Sequence, residues 1–177
     1  MIPDEILDCV DENDNSIGRA FRSECHGDPK KIHRAVHVLV FNKKGDLLLQ
    51  KRAFGKKIQP GKWDSSVGGH LGQGETYESA AEREMQEEIG ISSEGELRFL
   101  FSGRIRNSIE SENIKVYSLV REGPFSPDPE EIEELRFWTP EEIKGALGRG
   151  LFTPNLEEEI RGIKDCPLFT VAADSPK

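Results

Sequence analysis

GHLGQGETYESAAEREMQEEIGI, residues 69–91, is the stretch from which the rest of this chain is read. Thr76 is a good N-cap residue and Gly90 a good stop just past a helix end. Between them Tyr77, Ala81, Met85 and Ile89 recur every fourth residue, an apolar stripe that predicts an amphipathic helix with one face on a core. Glu84, Glu87 and Glu88 fall along the edge of that stripe, on one face. Like charges at these spacings destabilise a helix by about 0.2–0.5 kcal/mol per pair, and partial burial raises the cost. A hard cation such as Mg²⁺ or Mn²⁺ removes the conflict, because it takes carboxylate oxygens and then phosphate oxygens. Arg83, one turn before Glu87, is placed to hold a carboxylate. A merely acidic, solvated helix face would leave Glu75, the glycines and the apolar positions unexplained.

Outside this stretch, bulk properties narrow the possibilities. The 177 residues suit a single domain, 1–177, with a body over about 5–160 and a real core. A net charge of −9 and a pI of about 5.1 argue against a nucleic-acid binder or an anionic-membrane binder. They leave room for a phosphorylated small molecule met by a local basic cluster. No apolar run approaches the ~20 residues of a membrane span. The opening MIPDEILD is acidic and lacks a signal-peptide pattern, so a cytoplasmic location is expected. Cys9, Cys25 and Cys166 are odd in number and scattered, which suits reduced thiols.

Residues 5–22 read as a β-hairpin turning at 11–15, and 23–34 as a loop. Strands are expected at 35–41 and 47–52, around a turn at 42–46. Residues 53–62 form a basic loop flanked by Phe54 and Trp63, for which core packing is the default role. Further strands are expected at 96–106, 113–121 and 135–138, with a proline-punctuated loop at 124–131. Thr139 and Pro140 open a helix to about Leu147, and Thr153-Pro154 opens a last short one. The tail after Cys166 is expected to be loose. This alternation predicts an α/β sandwich with a mixed sheet.

The stretch 69–91 also resembles, at every defined position, the signature of the MutT-like Nudix family, G-x5-E-x7-R-E-U-x-E-E-x-G-U with U apolar. The resemblance implies an α/β/α sandwich with the signature as loop-helix-loop. It implies Arg83, Glu84, Glu87 and Glu88 as catalytic residues, with the three glutamates holding Mg²⁺ or Mn²⁺. The implied reaction is hydrolysis of the pyrophosphate bond in a nucleoside diphosphate linked to X, where X is a phosphate, a sugar or an alcohol. The implied partner is a small diphosphate, and a homodimer is among the arrangements the family uses.

The flanks IHRAVHVLVFN, LLLQKRAFGKKIQPGKWDSSVGGH and ESEN look like a narrower branch, that of type 1 isopentenyl diphosphate isomerase. That resemblance implies a second divalent metal on His26, His33, His70, Glu110 and Glu112. It also implies a grip on diphosphate by Arg52 and Lys56. The isomerase needs a cysteine two residues before the histidine matched by His70, and that position is Gly68 here. Loss of the thiol together with an intact Arg83-Glu84 and Glu87-Glu88 favours hydrolysis. The alternatives are an isomerase and a non-catalytic sensor of phosphorylated metabolites.

Overall fold

The computed structural model describes residues 4–163. The expected loose tail after Cys166 lies outside them. A two-stranded hairpin, β1 (Ile6–Val10) and β2 (Ser16–Phe21), leads into one helical turn, α1 (Arg22–Cys25). A seven-stranded mixed sheet follows, built from β3 (Ile32–Phe41), β4 (Leu47–Arg52), β5 (Trp63–Asp64), β6 (Val67–His70), β7 (Arg98–Arg106), β8 (Ser111–Val120) and β9 (Ile132–Trp138). Helix α2 (Tyr77–Ile89) covers one face. Helices α3 (Pro140–Ala146) and α4 (Pro154–Gly162) cover the other, giving an α/β/α sandwich.

β3 is the central strand, and its alternation sets both cores. Ala35, Leu39 and Phe41 pack with Ile143 of α3 and with Leu156 and Ile160 of α4. Val36, Val38 and Val40 pack with Tyr77, Ala81, Met85 and Ile89 of α2, so the predicted stripe is the buried one. Thr76 caps α2 by accepting a hydrogen bond from Ser79 N at 3.1 Å, and Gly90 ends it in the left-handed conformation, φ 70°.

β3 and β4 meet at Phe41 and Leu47 and then part. The chain from Trp63 to His70 fills the gap, β5 pairing with β4 and β6 with β3. β3 runs parallel to β8 from Ile32↔Ser111 to Phe41↔Val120. This splayed hairpin opens the space over which the acidic helix α2 lies.

Two expectations for the region before β3 need correction. Residues 22–25 form a helical turn, because the Glu24 carboxylate accepts from Phe21 N at 2.9 Å and closes it. β3 begins at Ile32, because the parallel ladder with β8 supplies hydrogen-bond partners well before the apolar run starts. The hairpin turn is as read: Asp11 Oδ1 accepts from Asn13 N at 2.8 Å and from Asn15 N at 2.9 Å. Asp14 then ties the hairpin to the sheet, accepting from Arg34, from Tyr77 and from Asn113. No helix among the described residues is long and apolar enough to cross a membrane.

Candidate active site

A cavity of about 580 Å³ opens at the gap between β3 and β4. From α2 it receives Arg83, Glu84, Glu87 and Glu88; from the end of β4, Arg52; from the basic loop, Lys56; from the opposite rim, His26, His70, Glu110 and Glu112.

The acidic wall is organised by Arg83. Its guanidinium makes a two-pronged contact with Glu75, Nε to Oε1 at 2.9 Å and Nη2 to Oε2 at 2.8 Å. It also donates to Glu84 at 2.7 Å, to Glu87 at 3.2 Å and to the carbonyl of His70 at 3.0 Å. The hydrogen bond from Arg83 keeps the Glu75 carboxyl below its ordinary range. This is why the motif wants a glutamate eight residues before the arginine. Glu87 sits at the rim, with its side chain 60% exposed.

Glu84 and Glu88 lie deeper. Burial pushes Glu84 up to about 7, against the pull of Arg83. Burial and then the charge of Glu84 push Glu88 up to about 8, although Gln50 Nε2 at 2.9 Å and Gly68 N at 3.3 Å both donate to it. A Cβ at Gly69 would overlap the Glu84 carboxylate, so the first glycine of the motif is what allows the helix this close to β6. Two buried carboxyls that resist ionisation fit a hard divalent ion, whose charge would reverse both shifts.

The histidine set is drawn together from four places in the chain. His26 follows α1, His33 is on β3, His70 ends β6 and Glu112 is on β8, with one ligand atom from each lying within 4.8 Å of the others. His26 Nε2 faces His70 Nε2 at 3.2 Å, and His70 Nε2 faces Glu112 Oε1 at 2.9 Å. His33 Nε2 is buried without a hydrogen bond of good geometry, 3.2 Å from Glu112 Oε1. Glu110 stands 3.6 Å from His26. Burial lowers His26 to about 4, helped by the neighbouring imidazoles, and burial lowers His70 as well. Burial alone would raise Glu112, but the two imidazoles beside it hold it well below the usual carboxylate range. The lowered imidazoles of His26 and His70, the ionised Glu112 carboxylate and the orphaned buried nitrogen of His33 are a donor set that fits a borderline divalent metal.

The expected phosphate ligands reach the cavity already paired. Arg52 donates to Asp64 at 3.1 Å and to the Ile58 carbonyl at 3.1 Å, and Lys56 is paired with Glu131. Trp63 packs in the core against Trp138 with ring centroids 5.1 Å apart, as its default role required. Phe54 does not; it is 67% exposed, with Lys51 Nζ 5.6 Å from the ring centroid.

The fourth histidine was not singled out by the sequence reading. His37 lines the cavity from β3, paired through Nδ1 with Glu159 of α4, and Ser65 Oγ donates to the same carboxylate at 2.6 Å. Two signals pointed there. His37 interrupts the apolar run AVHVLVF, and Glu159 falls on the apolar face of α4 with Leu156 and Ile160.

Comparison with known proteins gives the family and the fold. The chain is 36% identical over 143 residues to an isopentenyl-diphosphate Delta-isomerase of Streptomyces avermitilis, covering 78% of this chain and 73% of that one. It is 36% identical over 155 residues to an uncharacterized Nudix hydrolase of Yersinia pestis, covering 85% and 81%. The crystal structure of DR0079 from Deinococcus radiodurans superposes with a TM-score of 0.78 at 29% identity, covering 89% of this chain and 98% of that one. The model of the NUDIX domain matches residues 31–160, a span that begins just before β3 and takes in both carboxylate walls of the cavity. By sequence, by fold and by the arginine-ordered acidic helix at its cavity, the chain belongs to the Nudix family.

Proposed function

We propose that this protein is a metal-dependent hydrolase that cleaves the pyrophosphate bond of a nucleoside diphosphate linked to a phosphate, a sugar or an alcohol. The observation that carries the reading is the complete acidic wall: Arg83 clamping Glu75 and Glu84 while Glu84 and Glu88 are buried against their own charge. A Mg²⁺ or Mn²⁺ held by Glu84, Glu87 and Glu88 would supply Lewis acidity toward phosphate oxygens and a more acidic bound water.

The chain's own residues divide the remaining work. Arg83 fixes the direction of three carboxylates at once. The base that takes the proton of the attacking water is one of the signature glutamates or Glu110; Glu112, which His33 and His70 hold well below the usual carboxylate range, is a poorer acceptor than an ordinary carboxylate. Lys56 exchanges Glu131 for a substrate phosphate, and Arg52 offers Nη2, which has no bond to a described residue. The glycines at 68 and 69 leave room for the His37 ring and the Glu84 carboxylate to lie close against β6.

The gathered histidine–glutamate set favours a second reading, an isopentenyl diphosphate isomerase-like enzyme that would form the allylic isomer. The position of the required thiol speaks against it. A Cβ at Gly68 would come within 2.9 Å of His37 Cδ2, so the ring of His37 occupies the side of β6 where that thiol would stand. Product analysis on nucleotides, nucleotide sugars, dinucleoside polyphosphates and isopentenyl diphosphate, each with Mg²⁺ and with Mn²⁺, separates the two. Cleavage of a nucleotide class supports the hydrolase; conversion of isopentenyl diphosphate with no cleavage contradicts it.

A further inference from the structure

His37 lies on the same face of β3 as His33 and Ala35, directly across from Gly68 on β6. Its Nδ1 is committed to Glu159, which is itself only 3% exposed and is steadied by Ser65. Its Nε2 has no hydrogen-bond partner among the described residues, and the imidazole borders the cavity. The neighbouring glycine keeps that nitrogen clear, since a Cβ there would stand 3.3 Å from Nε2. A histidine serving only to anchor α4 would need neither the cavity nor the glycine beside it. Burial works against its charged form, but the charge of Glu159 and the hydrogen bond to it raise His37 to about 9, so at neutral pH both nitrogens carry protons. Nε2 is then a fixed donor at a cavity where Arg52 and Lys56 are each already paired with a carboxylate.

We propose that His37 is a substrate-contacting residue whose Nε2–H, aimed by the buried Glu159–Ser65 pair, donates a hydrogen bond to an anionic phosphate oxygen of the bound diphosphate above Gly68. The inference rests on the reading of the cavity as a diphosphate site. Glu159 and Ser65 are positioning residues that act through the imidazole.

The test uses the full chain with ¹⁵N-labelled histidine and inorganic pyrophosphate in the presence of Mg²⁺. There are four histidines, and the His37 signals are identified by their loss in His37→Gln. Pyrophosphate is expected to shift the His37 Nε2 resonance saturably. His37→Gln is expected to weaken pyrophosphate binding by about 10–100-fold, the size of a lost hydrogen bond to a charged group. Glu159→Gln, which can still accept from Ser65, is expected to move the His37 resonances in the free protein and to weaken binding by a smaller factor. A His37 Nε2 signal unmoved by pyrophosphate, whether or not pyrophosphate binds elsewhere, overturns the proposal. So does a folded His37→Gln protein with unchanged affinity. If His37→Gln fails to fold, the wild-type titration decides, with assignment through Glu159→Gln. A wild-type protein that shows the shift but hydrolyses no nucleotide would sink the hydrolase reading and leave this one standing.

Discussion

Replacing Glu88 by Gln should make the metal-free protein more stable at alkaline pH while destroying its use of metal. Burial, and then repulsion from Glu84, raise the Glu88 carboxyl from its ordinary 4.5 to about 8. Between those values the folded protein keeps a proton that the unfolded chain releases. Its contribution is therefore fully present below pH 4.5 and is lost as pH rises through 8. At 1.36 kcal/mol per pH unit the upper limit is about 5 kcal/mol, and the matching limit for Glu84, raised to about 7, is about 3 kcal/mol. The two sites repel each other, so these limits do not add, and water entering the cavity reduces both. A glutamine at 88 retains an oxygen to accept from Gln50 and Gly68 and loses the charge. A gain of about 1–3 kcal/mol at pH 8.5, and almost none at pH 5, is the expected result. Urea unfolding in a chelator at the two pH values measures it. The wild type should weaken toward pH 8.5 more than the variant, which keeps only the Glu84 share, and the wild type should recover when Mg²⁺ is added while the variant does not. A wild-type protein equally stable at both pH values, or a variant weaker at pH 8.5, would refute the view that the acidic wall is buried against its own charge.

Three further outcomes follow from the geometry. Gly69→Ala should displace the Glu84 carboxylate that its Cβ would overlap, lowering turnover by about 100-fold, read from steady-state kinetics with metal titration. Arg83→Lys keeps a positive charge but loses the two-pronged grip on Glu75, so kcat should fall far more than the melting temperature. His33→Asn and Glu112→Gln should each strip transition metal from the purified protein by elemental analysis, whereas Glu88→Gln should leave that metal in place.

The parts of this protein that could be read from sequence are those whose causes are local. Helix α2 carries its period, its cap at Thr76 and its stop at Gly90 within one short stretch, so its burial and its acidic edge were both legible. What was hidden depended on partners far along the chain. The start of β3 at Ile32 is set by a parallel ladder with residues around 111, and no local pattern announces that pairing. Glu75 was visible as a motif position, but its role required the turn through Gly72 and Gly74 that brings it back onto Arg83. Arg52 and Lys56 read as the grip on a diphosphate, and their pairing with Asp64 and Glu131 emerges only when β4, β5 and the segment before β9 meet. His26, His33, His70 and Glu112 were gathered in sequence by resemblance alone. In space it is the N-terminal hairpin, pinned through Asp14, that carries His26 to the others. His37 and Glu159 are 122 residues apart, and no local pattern in the sequence announces that they face one another.

The most direct measurement is product analysis with Mg²⁺ on a panel of nucleoside diphosphate compounds and isopentenyl diphosphate, run on the wild type beside Glu88→Gln. The account predicts cleavage of a pyrophosphate bond in at least one nucleotide class, abolished in the folded variant. Isomerisation of isopentenyl diphosphate without any cleavage, or cleavage that survives in Glu88→Gln, would contradict it.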